Sequence, residues 1–259
     1  MNHALFAALL SLGLCAGMLL MIETGRRIAN HRLARDPIGA RTGFSTIEAA
    51  VLALLSLLLA FTVNGASSRF DLRRNLVIHE TVTIGTAFIR LDVLPIVLQP
   101  TIKDSFRQYL DTRIAIYRKV PDIGDVKEEL AKSERLQKEI WRQAVNGVRA
   151  ADAAPQATVV LLPALTEMID ITTERTWTAQ IHPPTVIFIM LFTLALASSL
   201  LSGYGMAADK SRSWLHILCL TLIISVTVYV IIDLEYPRLG LIRVDNFDQA
   251  LVDLRHEMD

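Results

Sequence analysis

The sequence of 259 residues contains little cysteine and has no excess of charge of either sign. Its two cysteines, Cys15 and Cys219, lie inside apolar runs, so a disulfide framework is excluded. Basic and acidic residues number 26 each, so the chain lacks the net positive charge that would indicate a nucleic-acid partner. The six histidines are scattered without i,i+4 pairing, and metal-ligand spacing is missing. We therefore expect no metal site, no cofactor and no nucleic-acid partner.

Motifs that carry catalysis are also missing. The sequence has no Gly-x-Ser-x-Gly elbow, no glycine-rich phosphate loop, no His-Glu-x-x-His and no nucleotide fingerprint. The paired Gly- or Pro-broken helices typical of secondary transporters are missing too. We expect a protein that is not an enzyme.

Long apolar runs are what the sequence does have. Hydrophobic residues make up 52% of the chain, but 20% of the residues are charged, and this charge must lie outside lipid. Four runs are close to the length that crosses a bilayer, at about 4–22, 47–63, 185–202 and 214–232. Lipid satisfies no backbone polar group, so these runs are predicted to be helices. We expect the first to be retained, because no Lys or Arg precedes it and no small-x-small cleavage site ends it.

The spacing of these runs divides the chain into four segments. We predict two transmembrane helices in 1–64, a helical extramembrane domain in 65–184, two further transmembrane helices in 185–235, and a tail in 236–259. The middle segment shows helical periodicity over 75–94, 101–120, 122–148 and 156–181. No proline lies between the second apolar run and Pro95, so one unbroken helix is predicted from Thr46 to Leu94. The predicted fold is all-α, with two transmembrane hairpins flanking a helical soluble domain.

The end of the second apolar run carries the most informative motif. Phe61 and Asn64 are followed by Arg69-Phe70 and then by Arg74-Asn75-Leu76. This stretch resembles the bestrophin ion channels. Four segments resemble the bestrophin-like family of bacterial membrane proteins more closely, at 70–74, 84–87, 90–95 and 236–240. The tryptophan-rich step and the acidic cluster of animal bestrophins are missing, so their calcium clasp is not expected.

The resemblance implies a passive ion channel in a lipid bilayer, built as a ring of five subunits around the second helix. On such a helix the pore would be lined by Ala53, Leu57, Phe61 and Asn64, and an apolar constriction can gate by dewetting. The vestibule would carry Ser68, Arg69, Arg73 and Arg74, whose positive field favours anions. Leucines at helical spacing are also typical of lipid-facing surface, and arginines at a helix exit of interfacial anchors or ion pairs. The alternative is a non-conducting structural or regulatory protein whose helical domain binds a partner.

Several further charged residues lie in apolar surroundings. Buried charges need partners, so we predict a structural polar network that involves Glu80, Arg90 and Asp92, with Asp71 and Glu80 as candidate partners of the arginines. Asp233 and Glu235 close the fourth apolar run, and Arg238 or Arg243 is the expected partner.

The orientation in the membrane is contested by two arguments. The loops within the two hairpins hold seven basic residues and the opposite side holds six, so the positive-inside rule weakly favours an external middle domain. The resemblance to bestrophins implies the reverse orientation in the cell inner membrane, with the termini and the middle domain in the cytoplasm. We follow the resemblance.

Overall fold

The computed structural model describes residues 3–34, 44–118, 123–208 and 214–259. Four of the basic loop residues considered above, Arg35, Arg41, Lys210 and Arg212, lie outside the described residues. Eight α-helices follow one another in these ranges: α1 (His3–Leu33), α2 (Phe44–Ile89), α3 (Gln99–Arg118), α4 (Ile123–Val148), α5 (Ala157–Thr178), α6 (Thr185–Gly205), α7 (Trp214–Glu235) and α8 (Asp245–Glu257). Short 3₁₀ helices occur at Arg90–Val93 and Met206–Ala208, and the described part of the chain has no strand.

Four helices among the described residues, α1, α2, α6 and α7, are long and apolar enough to cross a membrane. This confirms the predicted all-α fold class with four candidate transmembrane helices. α1 continues past Ile22 to Leu33, because helix-forming polar residues follow the apolar run.

The second helix is unbroken over 46 residues, as the sequence predicts, and its final turn tightens into the 3₁₀ helix before Pro95. At a rise of 1.5 Å per residue, α2 is about 69 Å long. The hydrocarbon core of a bilayer is about 30 Å thick, so a large part of α2 must lie outside it. Gly65 and Gly85, the weak points of the helix by propensity, do not interrupt it.

The chain divides into two compact units, and the boundary falls inside α2. The first unit comprises Met1–Phe70 and His182–Ile242, and the second comprises Asp71–Ile181 and Arg243–Asp259.

In the first unit, α1 packs against α6 and α7 around a core that includes Met18, Leu191 and Val228. A Cβ atom at Gly25 or at Gly203 would lie closer than 3.0 Å to the backbone of the facing helix. The two glycines therefore allow the backbones of α1 and α6 to approach each other, as small residues commonly do between membrane helices.

α2 is the least covered of the four apolar helices. In an 18-residue apolar window of each helix, 11% of α2 is buried, compared with 28% in α1, 33% in α6 and 39% in α7. Leu55 of α2 is buried in the core of the first unit, and Leu58 and Leu59 are partly buried against it. Most of the apolar surface of α2 is thus available to lipid, to another subunit or to an axial space.

The second unit is a helical domain with its own core. Ile84 of α2 and Leu91 of the following 3₁₀ helix pack with Phe106 and Leu110 of α3 and with Leu161 of α5. α4 packs along α3, and α8 closes the domain against α3. α4 buries Ile140 and Ala144 and exposes its lysines, as its amphipathic pattern predicts.

Candidate ion pathway and its charged neighbours

The four predicted pore-lining residues all lie on the exposed side of α2. Ala53, Leu57, Phe61 and Asn64 follow one another at spacings of three and four residues, which places them on one helical face. Leu57 is 53% exposed and Phe61 is 67% exposed. The face forms a stripe that is apolar up to Phe61 and polar from Asn64. Within the described part of the chain, no helix covers these four exposed residues.

Arg69, beyond the polar end of the stripe, is held in an ion pair. Its Nε donates to Oε1 of Glu235 over 2.9 Å, and its Nη2 donates to the same oxygen. Glu235, the last residue of α7, is only 1% exposed, whereas Arg69 is 26% exposed. His182 Nδ1 lies 3.7 Å from Oε2 of the same carboxylate, and its ring stacks on Tyr236.

The other three residues predicted to lie in the vestibule differ in their surroundings. Ser68 is exposed at the end of the stripe in the first unit. In the second unit, Arg73 is 8% exposed and donates to the carbonyl oxygen of Ile181 over 2.8 Å. Arg74 lies 3.3 Å from Asp71 and over the ring of Phe247. Arg69 and Arg74 are thus each paired with a carboxylate of their own chain.

Glu80 forms the centre of a buried charge network in the second unit. It is 0% exposed and accepts from Arg113 Nε over 2.6 Å and from Arg175 Nη1. Arg175 also donates to Asp248 over 2.9 Å and lies over the ring of Tyr117 at 3.6 Å from its centre. Arg113 Nη2 also donates a hydrogen bond to the hydroxyl of Tyr117. Two carboxylates balance two guanidinium groups, and the network connects α2, α3, α5 and α8.

The network keeps both arginines charged. Burial by itself lowers the pKa of Arg113, but the charge and hydrogen bond of Glu80, together with Tyr117 and Tyr109, outweigh this and raise that pKa above its ordinary value. Burial also opposes the charge of Arg175, and the neighbouring Tyr117 and Glu80 raise its pKa in the same way. Both guanidinium groups therefore remain positive at any working pH and depend on the carboxylates for compensation.

Two of the residues expected in the network lie apart from it. Arg90 donates to the carbonyl oxygen of Val160 over 3.2 Å, and Asp92 has a 63% exposed side chain that bonds Lys103. Both residues belong to the 3₁₀ turn that ends the long helix, where the helical face rotates away from the core.

In the first unit, Asp233 is 2% exposed and accepts from the backbone N–H groups of Leu241 and Ile242. It therefore closes the turn that contains Arg238.

Sequence reasoning missed the partners of the buried acids. Arg113 occupies the same face of α3 as Phe106, Tyr109 and Leu110, because it follows them at helical spacing. The charge of Arg113 on this otherwise apolar face was the signal in the sequence that it has a buried partner. The pairing of Arg69 with Glu235 spans 166 residues, and no local pattern points to it.

An acidic groove follows the exposed side of α5 in the second unit. His79 of α2 lies 3.7 Å from Glu167, and both side chains are more than half exposed. The groove also contains Pro163, Asp170 and Glu174. No group of three or more potential metal ligands occurs among the described residues.

The geometry is that of an all-α, multi-pass membrane protein with a largely uncovered second helix. Residues 30–246 match the Bestrophin-like domain model, and the chain belongs to this family. A bacterial Bestrophin homolog from Klebsiella pneumoniae, in a mutated form, is similar in structure with a TM-score of 0.61 at 16% identity, covering 95% of this chain and 98% of the other. A crystal structure of a membrane protein aligns with a TM-score of 0.58 at 14% identity, covering 94% and 98%. Both likenesses show that the chain shares its fold with these membrane proteins. No sequence of curated function matches significantly.

Proposed function

We propose that the protein is a homo-oligomeric ion channel with an axial pore lined by α2. The observation that carries the proposal is the uncovered stripe of Ala53, Leu57, Phe61 and Asn64 on the least buried apolar helix. Family membership supports the same function, because bestrophins are channels. Four helices of one chain leave little room for a water path, so conduction requires several copies around an axis. A closed ring is the usual symmetric arrangement of identical chains, and the family resemblance favours five.

The stripe has the chemistry of a gated pore. In the ring, each exposed residue is repeated by every subunit, so Leu57 and Phe61 form two apolar constrictions one helical turn apart. A narrow apolar constriction expels water and blocks ions without binding them. Asn64 and Ser68 then offer polar groups to an ion that regains its hydration beyond the constriction.

The charge beside the pore is close to balanced. The preference for anions that the sequence suggests depends on Arg69, Arg73 and Arg74. Two of these arginines are paired with carboxylates, and Arg73 is buried. A paired charge has a weaker field at a distance than an isolated one. We therefore expect the wild-type channel to discriminate only weakly between anions and cations.

The proposal is tested by measuring mass and ion flux on the purified protein. Native mass spectrometry should show one closed oligomer, and vesicles that contain the protein should release potassium chloride faster than empty vesicles. A monomer that leaves vesicles sealed would contradict the proposal.

We further propose that residues 1–64 and 185–235 hold the membrane helices, in a cell inner membrane, and that 65–184, the tail 236–259 and both termini face the cytoplasm. Lys132 is exposed on α4 and is a suitable reporter. In a background without Cys15 and Cys219, Lys132→Cys should react slowly with a membrane-impermeant thiol reagent in intact cells and rapidly after lysis.

The control for this experiment is Arg41→Cys, which lies in the sequence between the first two membrane helices. It should react at the same rate in intact and in lysed cells. If the two positions exchange behaviour, the orientation is the opposite, and the positive-inside count is the better guide.

One observation favours the second candidate function, a non-conducting protein that binds a partner. The groove on α5 presents Glu167, Asp170 and Glu174 on an exposed face, which would suit a basic segment. On this interpretation vesicles stay sealed and the triple substitution of these acids by amides abolishes partner binding. Ion flux through the wild-type protein would favour the channel instead.

A further inference from the structure

Glu235 is an unusual residue for the end of an apolar helix. Its side chain is 1% exposed, and it closes α7, which is otherwise apolar up to Asp233. A buried carboxylate is costly unless positive groups and hydrogen bonds compensate for it. The structure supplies this compensation from a distant part of the sequence, through the Nε and Nη2 atoms of Arg69.

Arg69 lies where its charge would act on passing ions. It follows Ser68, the last exposed residue of the stripe, and its own side chain is 26% exposed. The guanidinium group extends back along α2 over Gly65, where a Cβ atom would lie 3.3 Å from Nη1. The positive charge is thus held beside the turn that carries Asn64, at the polar end of the stripe.

The net charge at this position depends on both partners. With both present, the pair is neutral, and only a dipole acts on an ion in the pore. With the carboxylate removed, each subunit contributes one uncompensated positive charge. With the guanidinium removed, each subunit instead contributes the negative charge of the buried Glu235 carboxylate. Because a ring repeats the change in every subunit, the effect on local ion concentration is multiplied.

We infer that Glu235 sets the ion preference of the channel by neutralising Arg69 at the exit of the pore. The inference rests on the proposed channel function and adds a specificity-determining residue to it. Glu235 is a positioning and compensating residue, since Arg69 rather than Glu235 is the exposed partner. His182, 3.7 Å from the same carboxylate, adds a second basic group, so the comparison is made at one fixed pH.

The test measures reversal potentials in planar bilayers under a potassium chloride gradient. Glu235→Gln should raise the anion-to-cation permeability ratio at least about threefold over wild type, and Arg69→Gln should lower it by a similar factor. The double substitution and the exchange Arg69→Glu with Glu235→Arg both restore neutrality, and both should return the ratio towards wild type. Glu139→Gln, which removes the exposed partner of Arg142 on α4, is the matched control and should leave the ratio unchanged.

The outcomes separate the inference from the channel proposal. If wild type conducts and the single and double variants all share its permeability ratio, Glu235 and Arg69 do not set ion preference and the inference is wrong. If Glu235→Gln fails to assemble, Arg69→Gln and the charge exchange still decide the question. If wild type passes no current, the channel proposal fails and the inference fails with it.

Discussion

Replacing Glu80 with glutamine is expected to lower the free energy of unfolding by about 3–5 kcal/mol, the usual cost of removing one partner from a buried ion pair. The size of the effect follows from burial. Glu80 and Arg113 are 0% and 1% exposed, so bulk solvent does not reach Arg113 to compensate for its charge once the carboxylate charge is gone. Asp248 remains for Arg175, but Arg113 loses the carboxylate that it bonds over 2.6 Å. The second unit should therefore unfold at a lower temperature.

Two control variants identify the cause. Glu80→Leu with Arg113→Met removes both charges and should be more stable than Glu80→Leu alone, because no unpaired charge is left at that contact. Glu139→Gln breaks a pair on the surface of α4 that water screens, and its unfolding should be indistinguishable from wild type. The measurement is the thermal unfolding of the purified full-length protein in detergent, followed by circular dichroism. Equal losses for the single and double variants would contradict the buried-network account.

Replacing Leu57 and Phe61 together with alanine is expected to raise the leak of ions several-fold. The two side chains are 53% and 67% exposed, so their truncation removes little packing within the chain. In a ring, however, the same truncation widens both apolar constrictions, admits water and lowers the barrier to ions. The release of potassium chloride from vesicles should therefore accelerate, while the oligomer keeps its mass.

Leu218 of α7 supplies the matched control for this pair. It is 51% exposed, close to the value for Leu57, but it belongs to a different membrane helix. Leu218→Ala should leave the leak unchanged, because a leucine on α7 does not border an ion path that is lined by α2. An equal increase in both variants would show a general loosening of the protein, and no increase in either would show that α2 does not line a pore.

The sequence predicts the helices well because their signals are local. Runs of apolar residues identify α1, α2, α6 and α7, and the long interval without proline before Pro95 predicts the continuous second helix. Within α2, the spacing of Leu57, Phe61 and Asn64 places them on one face, and that face is exposed.

The pairing of charges could not be predicted because it depends on distant residues. Arg69 meets Glu235, and Glu80 meets Arg175 and, through it, Asp248, so each carboxylate is compensated from another helix. The sequence identifies Glu80 as a charge in apolar surroundings, but it does not say which cation approaches. For Asp92 the sequence predicted burial in the network, but the 3₁₀ turn places this residue at the surface.

Single-channel recording on the purified protein in planar bilayers decides whether α2 lines an ion-conducting pore. We expect discrete current steps from wild type and larger or more frequent steps when Leu57 and Phe61 are replaced with alanine, while Leu218→Ala behaves as wild type. Silent bilayers for wild type and for the alanine variant, with the protein shown to be inserted and assembled, would mean that α2 lines no pore.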